Sequence, residues 1–185
     1  ERDYIQFVKK GARQCQDMIN ALLEYSRLNT LAQLFEPKVS LNDVMGDVTH
    51  RLAALLHDSK AKLELPELPE ITGDKRQLEQ FFYHLLRNAI LYQPANHIPE
   101  VKLTIDEQPD FWIFTLQDNG IGIPAIFLNK AFVPLRRGTR DTNYPGQGMG
   151  LTIARKIIRR HGGDISLQSE EGVGTTVRFT LSKHL

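Results

Sequence analysis

Two glycine clusters constrain this chain more than any other feature. The first, Asp118-Asn119-Gly120-Ile121-Gly122-Ile123-Pro124, closes a strand-like run, and the second, Gly146-Gln147-Gly148-Met149-Gly150-Leu151, opens an amphipathic one. Glycine serves where backbone must turn sharply or come close to another group with no Cβ between them. A carboxylate set into such a turn accepts a hydrogen bond from an exocyclic amine. A G-x-G-x-G-L run heading an amphipathic segment lets backbone N–H groups approach phosphates. Together, in this order, they are a way of building a nucleotide site.

The rest of the chain divides at Pro37. Before it, Ile5, Val8, Ala12, Cys15, Ile19, Leu22, Ser26 and Asn29 recur at alternating spacings of three and four, a heptad seam. That pattern predicts one helix over 1–30, with Gly11 costing about 1 kcal/mol relative to alanine. The seam implies a partner: the helix is half of a hairpin or it dimerises. Cys15 on this seam reads as a buried small hydrophobe.

After Pro37, Lys38–Leu41 reads as a short strand, and Asn42 or Asp43 as the cap of a helix reaching about His57. Ala61–Leu65 and Glu70–Thr72 are strand-like. Gly73-Asp74 opens a helix that carries Leu78, Phe81, Phe82, Leu85, Leu86 and Ala89 and ends before Pro94. Val101–Asp106 and Phe111–Gln117 alternate as an antiparallel pair. Residues 125–149 lack periodicity and read as a functional loop such as a lid. Leu151–His161 is a helix ended by Gly162-Gly163, followed by a closing hairpin of Asp164–Gln168 and Thr175–Leu181. Arg155, Lys156, Arg159 and Arg160 form a basic face of that helix, read as a solvated surface with a partner contact as the alternative.

Composition narrows the partners. With 23 basic and 22 acidic side chains in 185 residues, the net charge of +1 makes no case for nucleic acid or an anionic membrane surface. The single cysteine rules out an internal disulfide and points to a reducing, cytoplasmic compartment. No apolar run reaches the length of a membrane span. The chain opens at Glu1 with no initiating Met, which reads as part of something longer, so a membrane-anchored parent is compatible with it.

The helix over Asp74–Tyr92 places His84, Asn88 and Leu91 or Tyr92 on successive turns of one face. Asn88 sits among apolar neighbours, where an unpaired amide is costly. Its carbonyl can coordinate Mg²⁺, or its side chain can bond a neighbouring loop. Both readings stand on the sequence.

At this point a family resemblance emerges. His84-Leu85-Leu86-Arg87-Asn88-Ala89-Ile90 resembles the asparagine box of sensor histidine kinases. Asp118–Pro124 resembles their first glycine box, Phe132-Val133-Pro134-Leu135 their phenylalanine box, and Gly146–Leu151 their second glycine box. His161-Gly162-Gly163-Asp164-Ile165, Ser169 and Gly172-Val173-Gly174-Thr175-Thr176 match the end of the same domain, all in family order from about 38 to 183. Residues 1–36, ending in Leu22-Leu23-Glu24-Tyr25-Ser26-Arg27, resemble the second helix of the dimerisation and histidine-phosphotransfer hairpin. That ending and Tyr144-Pro145-Gly146 are similar to the phytochrome-like subgroup.

The resemblance implies a two-layer α/β sandwich of the Bergerat type over 37–185, preceded by the long helix, and an ATP-dependent histidine kinase with Mg²⁺. Asp118 would bind the adenine amine, with Gly120 and Gly122 allowing close backbone approach to the base. Asn88 would ligate Mg²⁺. Tyr92 and Thr175 would lie on the adenine side, each with packing or strand propensity as the alternative. Gly146, Gly148 and Gly150, with Leu151, would hinge the lid and present donors to phosphate. His84 would position or deprotonate the attacking imidazole. Implied partners are ATP and ADP, an acceptor-histidine helix in cis or trans, a response-regulator receiver domain and a second copy in a full-length homodimer.

Three departures stand out. Leu91 occupies a position where the family commonly has a phosphate-reaching Lys, and Leu135 replaces the usual Phe. Arg136, Arg137 or Arg140 can supply positive charge near the γ-phosphate, with a solvated basic loop as the alternative. The acceptor histidine, which the family follows with an acidic residue, has no match: His57-Asp58 alone has the dipeptide, late in a helix of the nucleotide domain. The acceptor is therefore expected on a segment outside this sequence. A P-loop, a dinucleotide-binding βαβ unit, a zinc cluster and a nucleophile elbow are all absent from the sequence. A same-superfamily ATPase and a degenerate nucleotide-sensing or scaffolding module remain the alternatives.

Overall fold

The computed structural model describes residues 2–30, 34–136, 139, 144 and 146–185. In chain order the elements are α1 (Arg2–Thr30), β1 (Glu36–Ser40), α2 (Leu41–Arg51), α3 (Ala53–Ser59), β2 (Lys62–Glu64), β3 (Glu70–Gly73) and α4 (Lys75–Leu91). They continue with β4 (Glu100–Glu107), β5 (Phe111–Asp118), α5 (Ala125–Leu128), α6 (Gly150–Arg160), β6 (Ile165–Glu170) and β7 (Gly174–Ser182).

Local chemistry sets most of the boundaries. Asp74 caps α4: its carboxylate accepts the backbone N–H of Gln77 at 3.2 Å and the Gln77 side-chain amide at 2.8 Å. Helix α6 ends in a Schellman motif, with Gly162 left-handed and the N–H groups of Gly162 and Gly163 returning to the carbonyls of Arg159 and Ile158. Helix α2 departs from expectation. Its cap is Ser40, whose hydroxyl accepts the Asp43 N–H at 3.2 Å, not Asn42 or Asp43. Leu41 is fully buried as the first helical residue, so the cap falls one position before it. Asn42 instead exchanges two hydrogen bonds with the Leu68 backbone. The helix also stops at Leu52, and α3 follows as a separate turn.

Five strands form one sheet in the order β2-β4-β5-β7-β6, antiparallel except for the β2–β4 pair. Strands β1 and β3 make a separate antiparallel ribbon. Alternation puts Val101, Leu103, Phe114, Leu116, Val177 and Phe179 on the buried face. Phe114 and Phe179 are directly opposed across β5 and β7, their rings stacked at 4.9 Å. Phe81 of α4 meets Phe179 edge-on at 4.7 Å. Such aromatic pairs contribute about 0.5–1.5 kcal/mol each beyond the area they bury. Helices α2, α4 and α6 bury their apolar stripes in the same core, giving the two-layer α/β sandwich.

Helix α1 presents two stripes. Ile5, Val8, Ile19 and Leu22 of the heptad seam are exposed. Cys15 is exposed as well, against the expectation of burial, because nothing described covers that side of the helix. The other stripe, Ala21, Tyr25 and Leu28, packs on the core. The basic face of α6 is not the solvated surface the charges suggested. Lys156 donates to the Tyr25 carbonyl at 3.2 Å and sits 4.1 Å over that ring. Arg160 donates to the Leu28 carbonyl, in the last turn of α1 where carbonyls lack intrahelical donors. Only Arg159 remains largely exposed, 4.0 Å from Asp164. Among the described residues, no helix is long and apolar enough to cross a membrane.

Candidate active site

A cavity of about 380 Å³ opens where α4, the start of α6, the ends of β5 and β7, and α1 converge. Leu116, Ile121, Ile123, Leu167 and Val177 give it apolar walls at one end, beside Asp118.

Asp118 is the last residue of β5, paired in register with Thr175 of β7. One carboxylate oxygen, Oδ1, accepts the backbone N–H of Gly120 at 2.9 Å and that of Thr175 at 3.1 Å. The second, Oδ2, has no partner among the described residues. Burial pushes the Asp118 carboxyl above its ordinary value, and the two backbone bonds oppose that rise. The result is a rigid, half-buried carboxylate with one acceptor oxygen to spare.

Ser169 braces this end. Its hydroxyl accepts the Ile123 N–H at 2.8 Å, donates to the Gly174 carbonyl at 2.8 Å and meets the Thr175 hydroxyl at 2.9 Å. Gly122, at φ +66°, lies so close to β6 that a Cβ would stand 2.0 Å from the Glu170 carbonyl oxygen. Gly120 does not line the cavity; a Cβ there would meet the Tyr92 carbonyl oxygen at 2.4 Å. Gly122 lines the cavity beside Asp118, and both glycines of the first box also make room for the protein's own backbone.

The opposite end is built by α4 and α6. His84 and Asn88 stand one turn apart on α4 and line the cavity here, while Tyr92, the C-cap of α4, lines it on the side of Ile121 and Asp118. The Asn88 side chain makes no hydrogen bond among the described residues. Tyr92 stacks on Tyr144 at 5.6 Å, and its carbonyl accepts the Ile121 N–H at 2.9 Å. Gly146, Gly148, Gly150 and Leu151 also line the space. Gly148 holds φ +70°, and a Cβ there would sit 2.4 Å from the Arg136 carbonyl oxygen. Gly150, the first residue of α6, faces His84 Nδ1 and the Asn88 amide. No side chain caps α6 at Met149, so its first N–H groups are open to an anion.

Arg136 lines the cavity, whereas Arg137 and Arg140 lie outside the described residues. Leu91 is not in the lining. Phe132 of the phenylalanine box is tied to α6, its carbonyl accepting from Thr152 and Arg155 at 3.1 Å each.

Several lining residues were not anticipated. Arg87 is one, with no hydrogen bond or ion pair among the described residues; its place beside Asn88 was the available signal. Asp17, Ala21 and Glu24 of α1 are others, and their spacing on one helical face was the clue. Among the described residues, no three His, Cys, Asp or Glu side chains cluster as a metal site. A lone amide such as Asn88 suits Mg²⁺ completed by phosphate and water oxygens.

Comparison with known proteins agrees with this architecture. The chain is 38% identical to the phytochrome-like protein Cph1 of Synechocystis over 185 residues, which covers 97% of this chain and 24% of that one. The chain thus spans about a quarter of the length of that relative. It superposes on the histidine kinase AdeS of Acinetobacter baumannii with a TM-score of 0.73 at 20% identity, covering 100% of this chain and 86% of that one. The catalytic domain of histidine kinase ThkA matches with a TM-score of 0.66 at 25% identity, over 80% of this chain and 95% of that one. Residues 73–185 match the family model described as histidine kinase-, DNA gyrase B-, and HSP90-like ATPase, and the chain belongs to that family.

Proposed function

We propose that the chain binds Mg·ATP through residues 37–185 and transfers its γ-phosphoryl group to a histidine of a dimerisation hairpin, of which residues 1–36 form the second helix. The observation that carries this reading is the polarity of one cavity. Its apolar end holds an anchored carboxylate with Oδ2 to spare, and its other end joins the uncapped start of α6 to His84 and Asn88. A purine amine suits the first and a polyphosphate the second.

Asn88 would hold Mg²⁺, which when bound neutralises charge on the β- and γ-phosphate oxygens. Tyr92 and Thr175 flank the base, while Gly146, Gly148, Gly150 and Leu151 line the phosphate end with Arg87 and Arg136. A nitrogen of the acceptor imidazole bonds to phosphorus as the bond to the bridging oxygen breaks. ADP leaves with that electron pair. The proton shed by the acceptor ring passes to His84 Nδ1. A receiver-domain aspartate would take the phosphoryl group next, in a cytoplasmic two-component relay run by a homodimer.

The test incubates this chain with labelled ATP, Mg²⁺ and a separately made acceptor helix. Label on the acceptor histidine supports the kinase. Phosphate release without transfer favours an ATPase, and binding with neither favours a nucleotide-sensing module.

A further inference from the structure

Asp17, Ala21 and Glu24 lie on one face of α1 and wall the same cavity as Asp118 and Asn88. Glu24 makes the polar contacts there. Its Oε1 accepts from the Gln80 side-chain amide and lies 3.3 Å from His84 Nε2, so one oxygen bridges two residues a turn apart on α4. His84 has no other hydrogen-bond partner among the described residues. Its side chain is 15% exposed, against 38% for Glu24, so the imidazole depends on this contact more than the carboxylate does.

We propose that Glu24 is a positioning residue, which fixes His84 as the Nε2–H tautomer and leaves Nδ1 as the acceptor facing the start of α6. A neutral imidazole carries one N–H and one lone pair, and its partners decide which nitrogen has which. An ionised carboxylate only accepts, so the proton belongs on Nε2. Nδ1 then keeps its lone pair 3.3 Å from where a Cβ on Gly150 would stand, at the phosphate end of the cavity. Burial pushes the Glu24 carboxyl up, while the hydrogen bonds from His84 and Gln80 and the nearby Arg51 charge pull the other way, and the group is held below its ordinary value. Glu24 therefore stays an acceptor. Because it belongs to α1, which Lys156 and Arg160 grip, the docking of that helix sets the orientation of a side chain in the nucleotide cavity.

The catalytic part of this proposal rests on the kinase reading; the tautomer part does not. Glu24→Leu removes the acceptor, and Glu24→Gln keeps a carbonyl oxygen that can still receive the Nε2 proton. Nitrogen NMR of imidazole-labelled full chain without nucleotide should show His84 as Nε2–H in the wild type and Glu24→Gln, and as a mixture in Glu24→Leu. With Mg·ATP and a separate acceptor helix, kcat should fall roughly tenfold or more in Glu24→Leu and recover largely in Glu24→Gln, with KM for ATP moving less than about twofold. An unchanged tautomer in Glu24→Leu overturns the proposal. So does a faster Glu24→Leu enzyme, which would make the contact a restraint, or a KM rise as large as the loss in kcat, which would make it structural. If the wild type transfers nothing, the kinase reading falls, and the tautomer measurement still decides the pairing.

Discussion

Asp118 and Thr175 face each other across β5 and β7, and the carboxylate of the first accepts the backbone N–H of the second at 3.1 Å. With the Gly120 bond this fixes Oδ1 and turns the remaining oxygen into a reader of hydrogen-bond donors. Asp118→Asn retains an oxygen for both backbone groups but sets an NH₂ donor against the purine amine. ATP affinity should fall by about 1.5–3 kcal/mol, with little change in the unfolding midpoint. Asp118→Ala should lose both, because two N–H groups are left without their acceptor. Calorimetry on the pair of variants separates recognition from folding, and unchanged affinity in Asp118→Asn would remove the adenine assignment.

Asn88 lines the cavity one turn from His84, and its amide has no hydrogen-bond partner among the described residues. An amide with a structural bond to lose would destabilise the fold on truncation; this one should not. Asn88→Ala is expected to shift the urea midpoint little while removing most of the Mg²⁺ dependence of ATP binding. Titrations with and without the cation check this, and a wild-type response to Mg²⁺ would reject the ligand.

His161 is fully buried and bonded at both nitrogens. Nδ1–H donates to the Ile157 carbonyl at 2.8 Å, and Nε2 accepts the Asp74 N–H at 3.1 Å. A second proton on Nε2 would face that N–H donor to donor and detach the start of α4. Burial lowers the folded pKa below its ordinary 6.5, against the pull of the Ile157 bond and the Asp74 charge. As pH falls, the unfolded chain takes its proton first. The stability tied to His161 is therefore complete above about 6.5 and is lost as pH drops through the folded value. Urea midpoints measured from about pH 8 to pH 5 should decline in the wild type and decline less in His161→Gln.

Elements governed by neighbouring residues were legible in the sequence: the Asp74 cap, the glycine end of α6 and the alternation of β4 and β5. What long-range contacts decide was not. Asn42 looks like a helix cap, yet its amide is claimed by Leu68, which leaves that role to Ser40. No local pattern announces that β2 joins β4 in parallel across α4, or that β1 pairs with β3. Lys156 and Arg160 read as solvent-facing charge until α1 brings carbonyls to them. The site divides the same way. Asp118 and the glycine clusters stand out because their spacing is itself the signal. Ser169 and Arg87 fall inside matched motifs that do not say what they touch, and Glu24 matters only through where the fold puts it.

Arg87 is the sharpest case. The position one turn later on α4 holds Leu91, a departure from the phosphate-reaching lysine that the resemblance would place there, and Leu91 does not line the cavity. Arg87 does, and it has no charge partner among the described residues, so its guanidinium is available to a polyphosphate. Charge-assisted bonds of this kind contribute about 1.5–3 kcal/mol, and the contribution grows with the number of phosphates within reach. Arg87→Gln should therefore weaken ATP more than ADP and leave AMP nearly unchanged. Added salt should narrow the ATP difference, since a partly exposed cation is screened. Leu91→Lys, by contrast, should change ATP affinity less than Arg87→Gln does, because its side chain starts outside the cavity wall. Equal losses for all three nucleotides in Arg87→Gln would mean that the arginine supports the wall of the cavity and does not read charge.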